Sequence, residues 1–495
     1  MIFKMFAKLV AGFLARSLYF CPTILHSGVL VLLLVATSGL SVAAVQKSSS
    51  NPCNISQADD AGLNGDFSTQ VHAARDYMGT TARLLKQDKF EELDCLADYA
   101  RSGKERFSGG AWKLHVLYVG LSEAVPYPQH PTKEDWSSLL TPLQAWVTAR
   151  PKSVTARVAL ARAYLNYAYD ARGEDNAGTV SDSGWKLFAE RTAEGKRILD
   201  EAAALPTKCP EWYIAMLMVA QNQGWSAADA RAVFDEAFKL EPGYFYHARI
   251  LANYLLPKWT GEEGATEKFT QEIADRIGGS EGDIFYFQVA AASFLICGCE
   301  GAPQLSMARI ERGFEASEKQ YGVSMLNLNR MAFLTARTRP GDPIFADKTL
   351  TRIGEQWDEE TWKVRKDFDM AKNFAGFMAK RLAIEAAADT NMQTPEGLRY
   401  KAAFEKPYKE VVRQCVQPGG SDSGKFKALT SVGATGTVED IRIYWNSAAS
   451  HCIYEKLRAL QQEKATVFPP PPQAPYWVRL DLDWAEFTSA PVAAK

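Results

Sequence analysis

The sequence predicts a mainly α fold, an α-solenoid of helical hairpins followed by a small C-terminal α+β module, and three observations carry that expectation. Within residues 226–256 two amphipathic helices stand back to back: Ala230, Val233, Phe234 and Ala237 recur at helical spacing, Pro242-Gly243 stops the helix, and Phe245, Ala248, Ile250, Leu251, Tyr254 and Leu255 resume it. The second of these helices is apolar on more than one side, as expected of a helix covered by hairpins before and after it. Similar two-helix units recur every roughly 35 to 45 residues over 76–392. After Pro395 the period changes from helical to alternating, over 438–445 and 476–484.

Taken in order, the chain opens on a different regime. Lys4, Lys8 and Arg16 precede an apolar run at 29–35, which passes through small residues to Ser41-Val42-Ala43-Ala44. Positive start, apolar middle and small exit read as a signal peptide over 1–44. A spanning helix needs roughly 20 apolar residues; this run is shorter and ends in Thr, Ser and Gly, so the expectation is cleavage and an extracytoplasmic, most simply periplasmic, protein. The alternative is an uncleaved signal holding the protein in the inner membrane, the one way a membrane enters the reading. Residues 45–75 are a linker, polar and turn-rich over 48–65.

The helical domain is expected over 76–392. Its first hairpin closes at Gly109-Gly110 and an aromatic helix at 111–118; the second pairs 136–150 with 153–170 across Pro151. A glycine-rich insertion at 172–184 precedes a third pair, 185–204 and 210–223; the 226–256 stretch is the fourth. The fifth (265–277, 283–296), the sixth (307–319, 324–338) and a longer, more charged seventh (343–358, 360–388) follow, the last reading as a cap, and stability is expected to be largely nearest-neighbour. In the module at 400–485, a loosely alternating 425–430, a turn at 433–436, the strand 438–445, a helix at 450–464, Phe468 with Pro469 to Pro472, and a final strand at 476–484 make an α+β unit; 486–495 is a tail.

Charge and composition exclude several classes. The 56 basic and 58 acidic residues leave a formal charge of -2, so no global field favours nucleic acid. A hydrophobic content of 47% argues against a disordered chain. Of eight cysteines, Cys21 lies before the apolar run; export would make the other seven available as disulfide partners. Cys415 and Cys452 share one small segment and are the expected pair. Cys53 and Cys95 are placed to clamp the lead-in onto the first hairpin. Cys297-Gly298-Cys299 reads as structural pairing or buried thiols rather than a metal site, since no His lies near in sequence; a bond from one of them to Cys209 would leave an odd thiol.

Two resemblances rest on particular residues. Trp146 with Pro151-Lys152-Ser153, the run 156–163, Tyr169-Asp170-Ala171-Arg172-Gly173, Trp185 and Leu256-Pro257-Lys258-Trp259 are similar to a bacterial family of tetratricopeptide-like proteins filed as a domain of unknown function, over about 80–260. That resemblance implies a helical-repeat fold and no established activity. Gly436-Thr437-Val438, Asp440-Ile441-Arg442-Ile443, Asn446-Ser447, the helix around 452–460, Phe468-Pro469-Pro470 and the closing strand 476–483 resemble the C-terminal domain of TonB-type energy transducers. The TonB-like module implies an extracytoplasmic place and a sheet edge that pairs with a partner strand. Where such transducers carry a membrane anchor and a Pro-rich spacer, this chain has the helical array.

No nucleophile elbow, phosphate loop or His-Glu metal motif occurs, so no catalytic residue, metal or cofactor is expected. The candidate binding surface is Arg157, Tyr164, Tyr167, Arg172 and Trp185, residue types enriched at interaction hot spots, on one helix and the segment after it. The competing reading makes the two tyrosines inter-repeat core and the arginines solvated or structural. Asp170, Glu174, Asp175 and Asp182 would supply an acid/base pair if the chain were instead an all-helical hydrolase acting on a glycan. The leading expectation is a non-enzymatic exported scaffold or binding protein for a protein or peptide partner in the bacterial envelope; a component of an envelope transport or energy-coupling assembly is the other alternative.

Overall fold

A computed structural model describes residues 53–63, 66–125, 131–173, 177–259, 261–297, 305–337, 341–416, 424–445, 447–462 and 468–488. The expected signal peptide at 1–44, Glu174, Asp175, most of the Cys297-Gly298-Cys299 segment and most of the tail lie outside the described residues, as does the Cys297 side chain. The fold is mainly helical with one small three-stranded antiparallel sheet. No described helix is long and apolar enough to cross a membrane. The chain divides into two compact units, Met1–Lys372 and Asn373–Lys495.

In the first unit the helices are α1 (Gln57–Gly62), α2 (Ala74–Lys86), α3 (Phe90–Gly103), α4 (Lys113–Ser122), α5 (Lys133–Ala149), α6 (Val154–Arg172), α7 (Asp182–Ala203) and α8 (Pro210–Asn222). After them come α9 (Ala227–Leu240), α10 (Phe245–Tyr254), α11 (Ala265–Ile277), α12 (Gly279–Cys297), α13 (Met307–Tyr321), α14 (Met325–Arg337), α15 (Pro343–Ile353), α16 (Glu359–Trp362) and the start of α17 (Arg365–Asn391). Their starts follow from local chemistry. Ser153, Ser181, Ser226 and Ser306 each accept a hydrogen bond from a backbone N–H in the first turn, Thr132 and Asp135 form a reciprocal capping box, and Pro210 and Pro343 occupy first-turn positions that need no donor.

From α5 to α15 consecutive helices pack on one another, and α4, α6, α8, α10, α12 and α14 also touch each other in series, so these alternate helices form one inner row. That row is the most apolar part of the chain: Leu117, Leu165, Ala215, Leu251, Val289 and Met331 are wholly buried. Packing is not only between neighbours. Gly109 and Gly110, at φ 76° and 84°, fold the segment before α4 into a turn whose Gly109 carbonyl accepts from Gln288 Nε2 (3.0 Å), Asn327 Nδ2 (2.9 Å) and Ser317 Oγ (3.2 Å). A methyl on Gly109 would sit 2.3 Å from Ser324 Cβ. The expectation of nearest-neighbour stability is therefore corrected: this turn joins the first hairpin to α12, α13 and α14 across 179 to 218 residues. Cys53 and Cys95 are bonded, tying the segment before α1 to α3.

The second unit takes in the end of α17, which the sequence reading assigned to the helical domain. It continues with α18 (Pro395–Cys415), β1 (Lys425–Val432), β2 (Val438–Ile443), α19 (Ala448–Gln462), β3 (Tyr476–Asp483) and α20 (Ala485–Thr488). The sheet order is β2-β1-β3, both pairs antiparallel, with Ala428 opposite Ile443 on one side and Leu480 on the other. Alternation in β3 divides as its period requires: Tyr476, Val478, Leu480 and Leu482 are buried with Phe426, Ala428 and Val432 under Tyr400, Phe404, Tyr408, Ile453 and Leu457. The helix over β3 is α18, which was not foreseen, while α19 lies against β2. On the opposite face Glu385 pairs with Lys427, Asp389 with Arg479, and Asn391 Nδ2 donates to the Trp477 carbonyl (2.9 Å). Cys415 and Cys452 are bonded, joining the end of α18 to α19.

Candidate functional site

The inner row carries charge where its sequence is most apolar. Glu211 follows Pro210 in the first turn of α8 and is fully buried. Its Oε2 accepts from Arg162 Nη1 on α6; its Oε1 accepts from Tyr244 OH, just before α10, and from His115 Nδ1 on α4 at 2.8 Å. Four helical segments thus place one carboxylate among three donors, which a buried charge requires. Burial pushes the Glu211 carboxyl up, but Arg162, then His115 and Tyr244, outweigh it and hold it below its ordinary value.

His115 is the least buried member of this network. Its side chain keeps 14% of its surface, its ring stacks on Tyr246 with centroids 3.5 Å apart, and its Nε2 makes no hydrogen bond among the described residues. Burial lowers its pKa; Glu211 draws it back, while the Arg162 and Arg249 guanidiniums push it down again, leaving it below the ordinary 6.5. The imidazole is then neutral at pH 7, and because Nδ1 faces a carboxylate, the proton sits on Nδ1 and the lone pair on Nε2. Arg249 lies against the other partner of that stack, its Cζ 5.0 Å from the Tyr246 centroid, and donates to the Gln288 carbonyl (2.8 Å) and Oε1 (2.5 Å). Burial, reinforced by the like charge of Arg330, brings Arg249 down to about 9; burial brings Arg330 to about 10 against the pull of Asp358 and Glu360.

Further along the same row, polar atoms are buried without a partner among the described residues. Asn253 on α10 is 1% exposed, and neither its Nδ2 nor its Oδ1 is hydrogen-bonded. Gln221 Nε2 on the adjoining α8 is in the same condition, as is Glu123 Oε1 at the end of α4. Burial, with Glu360 adding to it, raises Glu123 well above its ordinary value against the opposing Arg162, which favours the protonated acid. Most buried polar groups in proteins are satisfied, so each of these atoms marks a place where water or a polar group from elsewhere fits.

The residues singled out from the sequence do not form one surface. Arg157 donates to the Pro151 carbonyl (2.6 Å) and lies 3.8 Å from Glu201; Tyr164 accepts from Gln144 Nε2 (3.1 Å). Tyr167 is covered by Trp136 and by Arg191, whose Cζ is 3.1 Å from its ring centroid. Only Arg172 and Trp185 meet, with Cζ 5.5 Å from the indole, Arg172 buried and Trp185 37% exposed. Of the four carboxylates, Asp170 lies 4.0 Å from Arg191 and Asp182 is exposed in the first turn of α7; Glu174 and Asp175 lie outside the described residues. Cys209 is a buried free thiol 3.4 Å from Tyr118 OH, so it forms no bond to the Cys297 segment, and the cavity beside it, about 80 Å³, is small for a ligand. Among the described residues no group of His, Cys, Asp or Glu could hold a metal.

His115, Arg162 and Glu211 were missed because each stands next to apolar residues within its helix, and sequence spacing does not reveal which neighbour it meets. A signal was present: two opposite charges inside otherwise apolar segments, VTARVALARAYL and PEWYIAMLMVA, must neutralise each other or be lost to solvent. Compared with protein family models, with curated proteins and with solved structures, the chain matches none.

Proposed function

We propose that this protein is an exported, non-enzymatic binding protein of the bacterial envelope, an α-solenoid of tetratricopeptide-like hairpins whose inner row of helices holds an extended polar ligand, a peptide or a segment of a partner protein. The observation that carries the reading is the Asn253 amide, 1% exposed with donor and acceptor both unpartnered among the described residues. One side-chain amide offering both groups matches one peptide group, and Gln221 on the neighbouring helix continues the row. Two bonded cysteine pairs suit an oxidising compartment, which supports export.

The test is a pull-down from the envelope fraction with the full-length exported chain and its Asn253→Leu variant as baits. Two hydrogen bonds at about 1 kcal/mol each predict at least a tenfold loss of the captured ligand in the variant, with unchanged thermal unfolding. Equal capture by both baits overturns the reading. A second reading concerns the C-terminal unit, where β2 and β3 are each paired on one side only. This supports a TonB-like module that adds a partner strand in an energy-coupling assembly, and a proline placed at Arg479 in β3 would then abolish that partnership.

A further inference from the structure

Helix α17 carries two apolar stripes. One is buried, through Phe368, Ala371 and Ala375. The other is open to water: Met370, Phe374 and Phe377 are 47%, 59% and 53% exposed. With Asp367 before them and Arg381 after, these residues follow at steps of three, four, three and four, the alternation of a helix-pairing seam. At about 3.6 residues per turn all five fall within an arc of roughly 80°. Single exposed apolar side chains are ordinary, but three on successive turns of one stripe make a patch of the kind that marks an interaction surface. The charged ends of the stripe keep bonding capacity. The Asp367 carboxylate makes no ion pair or hydrogen bond among the described residues. Arg381 donates from Nε to Glu385 Oε1 at 2.8 Å and lies with its Cζ 4.2 Å from the Tyr444 centroid, and its two terminal nitrogens make no hydrogen bond among the described residues.

We propose that this stripe is the contact between two copies of the chain, with α17 packed antiparallel on α17 of a second copy about a two-fold axis at Phe374. The argument is complementarity. Read from Asp367 to Arg381 the stripe runs acid, three apolar residues, base, and an antiparallel copy presents the same series reversed. Phe374 then meets the partner's Phe374, Met370 meets the partner's Phe377, and Asp367 meets the partner's Arg381, twice over by symmetry. A parallel pair would set Asp367 against Asp367 and Arg381 against Arg381, which is repulsive at both ends. An acid in the first turn also suits the helix dipole, but that role leaves Phe374 and Phe377 in water unexplained. About four turns of one helix bury less than a standard interface, so the dimer is a weak, exchanging one. The inference goes beyond the binding reading and uses none of its residues, so loss of the Asn253 result leaves it standing.

The experiment is sedimentation of the full-length exported protein over a range of concentrations, at low salt and at high salt. The wild type is expected to dimerise with a dissociation constant of about 10 to 100 μM, weaker at high salt. Phe374→Asp sets two carboxylates against each other at the axis and should weaken association at least about a hundredfold, with thermal unfolding unchanged because the side chain is exposed. Asp367→Lys and Arg381→Glu, each measured alone, should weaken it about tenfold, since each turns two attractive pairs into repulsive ones. Mixed in equal amounts, the two variants should form a heterodimer of wild-type strength, because both charge pairs are then opposite in sign. A wild type that stays monomeric at about 1 mM overturns the proposal and leaves the stripe to a different protein or a lipid surface. Dimers as strong in Phe374→Asp as in the wild type place the contact elsewhere and overturn it too. A mixture no stronger than either charge variant alone contradicts the antiparallel pairing.

Discussion

Replacing Glu211 by Met removes the acceptor for three donors at once: Arg162, 1% exposed, His115 Nδ1 and Tyr244 OH. The methionine fills the volume, so the cost is electrostatic. Breaking a buried pair by removing one partner typically costs about 3 to 5 kcal/mol, because the remaining charge is stranded. Most of that cost lies with Arg162, since His115 is at the water's edge and the Tyr244 hydroxyl rotates. The double variant Arg162→Met/Glu211→Met should therefore be more stable than Glu211→Met alone by about 2 kcal/mol or more, a coupling well outside additivity. Urea unfolding followed by tryptophan fluorescence reads this directly as a difference in midpoint at equal slope. If the effects of the two single changes simply add, the buried pair does not hold the inner row and the electrostatic reasoning fails.

In the second unit, Leu480→Asp puts a charge under α18 and should cost about 3 kcal/mol or more, while Arg479→Asp faces Asp389 and Asp481 and should cost about 1 kcal/mol, more than a featureless surface change; equal urea midpoints would contradict the register. Removing the Cys415–Cys452 bond, whose ends lie 37 residues apart, should cost about 4 kcal/mol by chain entropy and melt the second unit before the first, as calorimetry of Cys415→Ala/Cys452→Ala would show. Glu123 holds its proton in the folded state above the pH at which the unfolded chain has lost it, so stability falls as pH rises from about 4.5 upward. Glu123→Gln should flatten that slope and stabilise the protein at pH 7; an unchanged pH dependence of the melting temperature would show that Glu123 is ionised in the fold.

The hairpins were legible because each helix needs an apolar stripe and a stop. The stretch 226–256 supplies both, and its helices end within a residue or two of the expected places. The strands at 438 and 476 were legible for the same reason, their period of two surviving in VEDIRI and YWVRLDLD. What the sequence withheld is non-local. Gly109-Gly110 reads as any loop, and nothing near it in sequence tells that Gln288, Ser317 and Asn327 converge on one of its carbonyls. Helix α18 was hidden because Pro395 and Pro407 suggest breaks, yet Pro395 sits in its first turn and the apolar Tyr400, Phe404, Tyr408 and Val411 repeat at helical spacing. The candidate surface on α6 failed to converge because different neighbours take up its residues: Arg157 turns to the Pro151 carbonyl, Tyr164 to Gln144 on α5, Tyr167 to Trp136 and Arg191, and Arg172 to Trp185.

The measurement that bears most directly on the central claim is a titration of the ligand captured from the envelope against three proteins: wild type, Asn253→Leu in the inner row, and Trp185→Ala on the exposed outer indole. If the inner row is the binding surface, Asn253→Leu weakens the dissociation constant at least tenfold and Trp185→Ala leaves it within a factor of two to three. The opposite pattern, with loss at Trp185 and none at Asn253, would return the site to the Arg172 and Trp185 pair and contradict the assignment of the inner row.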